Sequence, residues 1–131
     1  MTVTRVAGIV VTVLIFAGGI ACFSERSAGP AGTLDGCDVQ LPGDAFGSTI
    51  VIIRDFQFSP AQVRVRPGTK VTWVNCGPNG DESHTSTSDT NVWSSQLLAP
   101  GAVFTREFPQ AGAFPYHCAP HPGMRGTVTV E

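Results

Sequence analysis

An all-β sandwich of about seven or eight strands is the fold this chain predicts, and three observations carry that reading. Fifteen glycines and ten prolines punctuate its 131 residues, a density of breakers that favours turns over long elements. Short runs rich in Val, Ile, Phe and Thr lie between them, and several alternate apolar with polar at the period of two that a half-buried strand needs. After the N-terminal apolar stretch no segment carries a helical period, and there is no internal repeat or low-complexity tract.

The chain opens with a targeting element. Arg5 precedes Val6 to Phe23, an uncharged and mostly apolar stretch of eighteen residues. As a helix at about 1.5 Å per residue it would span about 27 Å, close to the hydrocarbon thickness of a bilayer. A secretory signal ending in Gly19-Ile20-Ala21 also fits, with Ala21 as the small residue before the cut. Cleavage there would make Cys22 the new N-terminus, the place where a bacterial lipoprotein carries its lipid. Residues 1–22 therefore read as a signal peptide or a membrane anchor, and each version puts the rest of the chain outside the cytoplasm, in the periplasm or beyond.

Residues 23–44 read as a flexible linker, since Ser24 to Gly32 has no hydrophobic period and contains breakers. About twenty such residues would span on the order of 25 Å as a random coil. The part around Cys37 to Leu41 would pack onto the domain if Cys37 is bridged. Residues 45–131 form the folded domain, large enough for one modest core. Val63 and Val65 share one face of a strand, Arg64 and Arg66 the other, and Pro67-Gly68 turns the chain. Val71 and Trp73 continue the inward face, with Lys70 and Thr72 outside. Phe104, Arg106 and Phe108 share a parity, which puts a charge on an otherwise apolar face. Thr127 to Val130 alternates cleanly, and Trp73 and Trp93 are expected in the core.

Chemistry concentrates near the C-terminus. Cys118-Ala-Pro-His121-Pro-Gly-Met124, with His84 upstream, offers one thiolate, two imidazoles and one thioether to a single metal ion. That donor set belongs to blue-copper electron-transfer sites, where soft sulfur ligands suit Cu(I), imidazoles suit both oxidation states, and a weak axial Met completes the site. Strand parity sorts the three histidines. Phe114, Tyr116 and Cys118 fall on one face of their strand, Pro115 and His117 on the other, so His117 points away from a metal held by Cys118. His84 and His121 remain, and Met124 is the one methionine besides Met1.

The segment Tyr116-His-Cys-Ala-Pro-His-Pro-Gly-Met-Arg-Gly126 resembles the copper loop of the amicyanin and plastocyanin-like cupredoxins, and its Cys-x-x-His-x-x-Met spacing is similar to that of amicyanin. The likeness extends through Val71 to Asn75, His84-Thr85, Pro100-Gly101 and the final Gly126 to Val130. It covers roughly residues 48–131. The resemblance implies a Greek-key sandwich with its ligands in loops at one end. It also implies a non-enzymatic, monomeric electron carrier binding one copper ion that cycles between Cu(II) and Cu(I), with redox proteins as donor and acceptor. It further implies that the His121 ring edge emerges through an apolar docking patch, for which Ala119, Pro120 and Pro122 are the candidates. Thr85 departs from the family, which usually has Asn after the first His; there the residue hydrogen-bonds near the Cys ligand, a role a hydroxyl can take. The segment Cys76 to Ser83 is longer than its amicyanin counterpart.

Four cysteines allow three connectivities if all pair. With Cys118 on the metal, Cys37 and Cys76 are the two others in the exported portion, and an oxidising compartment favours a disulfide between them. Cys22 is left over, as a lipidated residue or as part of a removed leader. Three histidines cannot build the trinuclear cluster of a multicopper oxidase or the second copper of a nitrite reductase. A net charge of −2 gives no reason to expect nucleic acid. The absence of any Cys-x-x-Cys argues against disulfide exchange. The competing function is a copper carrier or storage protein, although such sites are usually rich in exposed Met or His.

Overall fold

The structure is a computed structural model that describes Leu34, Cys37 and residues 39–77 and 82–131. The leader, Cys22 and most of the linker lie outside the described residues. Among the described residues no helix is long and apolar enough to cross a membrane.

Eight strands follow a short 3-10 turn at Gly43–Ala45: β1 Thr49–Arg54, β2 Gln57–Ser59, β3 Gln62–Val65, β4 Thr69–Asn75, β5 Thr87–Ser88, β6 Val103–Phe108, β7 Gly112–His117 and β8 Arg125–Val130. They form two four-stranded sheets, ordered β2-β1-β4-β6 and β3-β8-β7-β5. Neighbours in sequence pair antiparallel where they share a sheet, as β1 with β2 and β7 with β8 do. The two parallel pairs, β1 with β4 and β3 with β8, join strands distant in sequence. Parallel neighbours require a crossover. The chain supplies it by leaving the first sheet after β2, running β3 in the second and returning as β4, which is the Greek-key path.

Alternation places the core between the sheets. Val51, Ile53, Val71 and Trp73 from one sheet meet Val63, Val65, Tyr116, Val128 and Val130 from the other. Trp73 sits at the centre with no exposed surface, its ring 5.4 Å from Tyr116, 5.7 Å from Phe104 and 6.0 Å from Trp93. Arg106, on the apolar parity of its strand, lays its guanidinium 5.2 Å above Trp93 and 5.6 Å above Phe108. The stacked cation is how that face accepts a charge.

Thr72 departs from the sequence expectation. It points out of the sandwich as strand parity requires, yet it is fully buried. A second, smaller core covers that outer face: Cys37, Val74 and Cys76, with Leu34, Val39, Leu41, Ile50, Ile52 and Val103 packed against them. The Thr72 hydroxyl is accommodated by Ser48 Oγ at 2.7 Å and Thr105 Oγ1 at 2.8 Å. A disulfide joins Cys37 to Cys76 beneath this layer. The segment read as a flexible linker is therefore packed at Leu34, Cys37, Val39 and Leu41, because it carries the apolar side chains that close the outer face.

Two local features bear on the site. The β1–β2 hairpin turns on Asp55 and Phe56, both left-handed at φ 50° and 55°. A two-residue loop of this kind prefers Asn-Gly or Asp-Gly, and a residue with a Cβ costs about 1 kcal/mol there. Tyr116, fully buried, has its hydroxyl beside the Trp73 indole nitrogen, and neither atom reaches hydrogen-bond geometry with any described residue. Burial pushes the Tyr116 phenol up to about 12, against a smaller opposing influence of Trp73. The neutral phenol is favoured in the fold, so its contribution is complete below the ordinary value near 10 and is lost as pH climbs from there through about 12. Unfolding free energy should fall by about 2 kcal/mol across that window. Tyr116→Phe should flatten this alkaline slope, as chemical denaturation at pH 8, 10 and 12 would show. An unchanged slope in the variant would refute the assignment.

Candidate metal centre

One end of the sandwich gathers the chemically capable side chains. His84 follows β4 after the long connection and is fixed by reciprocal backbone bonds to Leu98, His84 N to Leu98 O at 3.1 Å and Leu98 N to His84 O at 2.8 Å. Asn75, fully buried at the end of β4, secures the same region. Its Nδ2 donates to the carbonyls of Leu98 at 2.8 Å and Glu82 at 3.1 Å, and its Oδ1 accepts from Gly77 N at 3.1 Å.

Cys118 follows β7, and the loop from it to Met124 closes on itself. His121 N donates to Cys118 O at 3.0 Å, Met124 N to His121 O at 2.8 Å, and Cys118 N to Met124 O at 3.1 Å. Pro120 and Pro122 lack N–H groups and contribute none of these bonds, so the prolines stiffen the loop without leaving a donor unmet. The last bond brings the Met124 backbone beside Cys118, and both side chains belong to the main core cluster.

The sulfur of Cys118 lies 3.6 Å from Nδ1 of His84 and 3.6 Å from Nδ1 of His121. The three donor atoms fall within 4.8 Å of one another. A metal about 2.3 Å from sulfur and about 2.0–2.1 Å from each nitrogen would leave sulfur–nitrogen separations of about 3.5–3.8 Å at tetrahedral to trigonal angles. The donors therefore fit a single ion as they stand. Cys118 and His84 have no exposed surface, while His121 is partly exposed, with Ala119, Pro120 and Pro122 exposed around it. His117 lies outside the group, its Nδ1 2.5 Å from Asp89 Oδ1, as strand parity expects.

Thr85 links the two halves of the site. Its backbone N–H donates to Cys118 Sγ at 3.3 Å, and its hydroxyl accepts from Ala119 N at 2.8 Å. The hydroxyl thus hydrogen-bonds beside Cys118, as the resemblance implies for the residue after the first His. Two further residues escaped the sequence reading. Asn75 was noted only as part of a resembling segment, although a polar residue ending an apolar strand is a signal that it caps something. Phe56 stands edge-on to both imidazoles, with ring centroids 4.9 Å from His121 and 5.5 Å from His84. An aromatic residue in a tight turn was the available clue.

Comparison with known proteins settles the class. Residues 47–131 match the copper binding proteins of the plastocyanin/azurin family. The chain belongs to that family. Among its relatives is amicyanin-alpha of Methylorubrum extorquens, 32% identical over 120 residues that cover 90% of this chain and 98% of that protein. Plastocyanin of Scenedesmus fuscus is 34% identical over 87 residues, covering 56% and 86% respectively. Among solved structures, an oxidised M98L variant of amicyanin superposes with a TM-score of 0.58 at 27% identity, covering 65% of this chain and 83% of the other. A purple cupredoxin from Nitrosopumilus maritimus gives 0.58 at 28% identity, covering 64% of this chain and all of the other. Plastocyanin/azurin proteins bind one copper ion, and a type 1 centre of this kind transfers electrons without catalysing a reaction.

Proposed function

We propose that this protein shuttles single electrons between redox proteins outside the cytoplasm. His84, Cys118, His121 and Met124 would hold the copper through two imidazoles, a thiolate and a thioether from this chain's own side chains. The observation that carries the reading is the convergence of the three donor atoms, 3.6 Å from sulfur to each nitrogen, on segments locked by backbone bonds. Bound there, copper supplies a one-electron Cu(II)/Cu(I) couple.

The chain's own part is to hold these donors still. Cys118 is anchored through Met124 O and His121 N, and the Thr85 N–H donated to its sulfur orients it. His84 is sealed from water, so the interior side of the site is dry. His121 alone of the candidate ligands reaches the surface appreciably, and Ala119, Pro120 and Pro122 frame it as the docking patch for donor and acceptor. Apolar contact over a partly exposed imidazole permits close approach without a large desolvation cost. At the other end of the chain, residues 1–22 would act as export signal or anchor and residues 23–44 as the linker to the copper domain of 45–131, its second half packed onto that domain at Leu34, Cys37, Val39 and Leu41. Cys22 is the candidate lipid site that would keep the protein at a periplasmic membrane surface.

Voltammetry of the copper-loaded protein, repeated over many cycles, separates the shuttle from a copper carrier. A reversible one-electron wave with no copper lost is the expected result. Rapid delivery of the copper to an apo-acceptor protein, with no stable wave, would instead establish a carrier.

A further inference from the structure

Phe56 occupies a position that a turn built only for turning would not give to phenylalanine. It adopts φ 55° despite its Cβ, and the residue is 48% exposed. Asp-Gly or Asn-Gly would satisfy the same two-residue loop without strain. An unfavourable backbone and an exposed aromatic on one residue call for a compensating contact, and such outliers gather at functional sites.

The compensating contacts are the candidate ligands themselves. The Phe56 ring is inclined 87° to both imidazoles, at 4.9 Å from His121 and 5.5 Å from His84. Both are the edge-to-face arrangement that aromatic pairs favour. The two imidazoles lie 5.1 Å apart, so the three rings form a triangle. Phe56 also lines a shallow cavity of about 190 Å³ together with Phe58, Gly123 and Met124, so the hairpin and the end of the Cys118–Met124 loop border one space. Among the described residues, no other aromatic ring outside the candidate ligands contacts His121. The backbone bonds of the loop fix its main chain, and they leave the His121 ring to be held by its Nδ1 contact with Cys118 Sγ at 3.6 Å and by side-chain packing.

We propose that Phe56 is a positioning residue of the metal centre: its ring holds the imidazoles of His84 and His121 in place and covers them from solvent. This rests on the ligand assignment given above. It makes the β1–β2 hairpin, distant in sequence from the copper loop, a third wall of the site. The strained turn supplies rigidity, because a left-handed phenylalanine seated against two rings has few other places to go.

Phe56→Gly tests this without disturbing the turn, since glycine accepts the left-handed conformation. Loss of Cu(II) to a strong chelator should be about tenfold faster than in the parent, the size expected for two lost ring contacts. In the metal-free variant the NMR signals of the His121 ring should lose their ring-current displacement and broaden, while the denaturation midpoint holds or rises. Phe56→Tyr should restore both copper retention and the ring signals. Phe56→Leu keeps apolar bulk without a ring and should lose copper several-fold faster than the parent. Parent-like copper loss and parent-like His121 signals in the glycine and leucine variants would overturn the proposal. A parent protein with no thiolate-to-copper absorption would overturn the ligand assignment and this inference together, whereas a blue parent with unaffected variants overturns this inference alone.

Discussion

Gly126→Ala is expected to lower the unfolding free energy by about 4 kcal/mol, beyond the ordinary range for an added methyl group in a core. Gly126 stands opposite Tyr116 in the β7–β8 register. A Cβ there would lie 2.3 Å from Tyr116 Cζ, 2.4 Å from its hydroxyl oxygen and 2.8 Å from Cε1. The ring cannot retreat, because it is fully buried with Phe58 4.8 Å away and Trp73 5.4 Å away. The clash should also reach the metal centre, since Gly126 follows Met124 by two residues and Tyr116 precedes Cys118 by two. Chemical denaturation of the metal-free protein measures the first effect. A midpoint within error of the parent would mean that the Tyr116 ring has room that the packing does not show.

Removing the disulfide should cost a similar amount. Cys37 and Cys76 close a loop with a sequence separation of 39, for which the chain-entropy account gives about 4 kcal/mol. The double variant Cys37→Ser, Cys76→Ser should therefore unfold at a much lower denaturant concentration. Its effect should extend past stability. The bridge pins the outer layer of Leu34, Val39 and Leu41 onto the face of β4, and Cys76 begins the connection that leads to His84. Loosening that layer should expose the Thr72–Ser48–Thr105 hydroxyl cluster to water and speed amide exchange across β1 and β4. Protection of those strands equal to the parent's would confine the role of the bridge to the unfolded chain.

The sequence made the interior of the sandwich legible because period-two alternation reports which side of a strand faces the core. Val63, Val65, Val71 and Trp73 are buried as that pattern implies. The same parity separated His117 from Cys118, and His117 indeed pairs with Asp89 outside the donor group. Alternation says nothing about what lies on the far side of a sheet, and so the burial of Thr72 was missed: its cover comes from residues that precede the first strand. The donor loop was legible because its residues are close in sequence and chemically unusual as a set. Phe56 and Asn75 were not, since each acts on the site from another segment, and only the fold brings those segments together. Thr85 falls between these cases, being next to His84 in sequence but meaningful only once Ala119 N and Cys118 Sγ are near it.

The visible absorption spectrum of the Cu(II)-loaded protein, with its EPR spectrum alongside, tests the central claim most directly. An intense thiolate-to-copper charge-transfer band and a narrow parallel hyperfine splitting, both absent in Cys118→Ala, are the predicted result. A colourless protein, or a band that survives the loss of Cys118, would contradict a type 1 centre built on His84, Cys118, His121 and Met124.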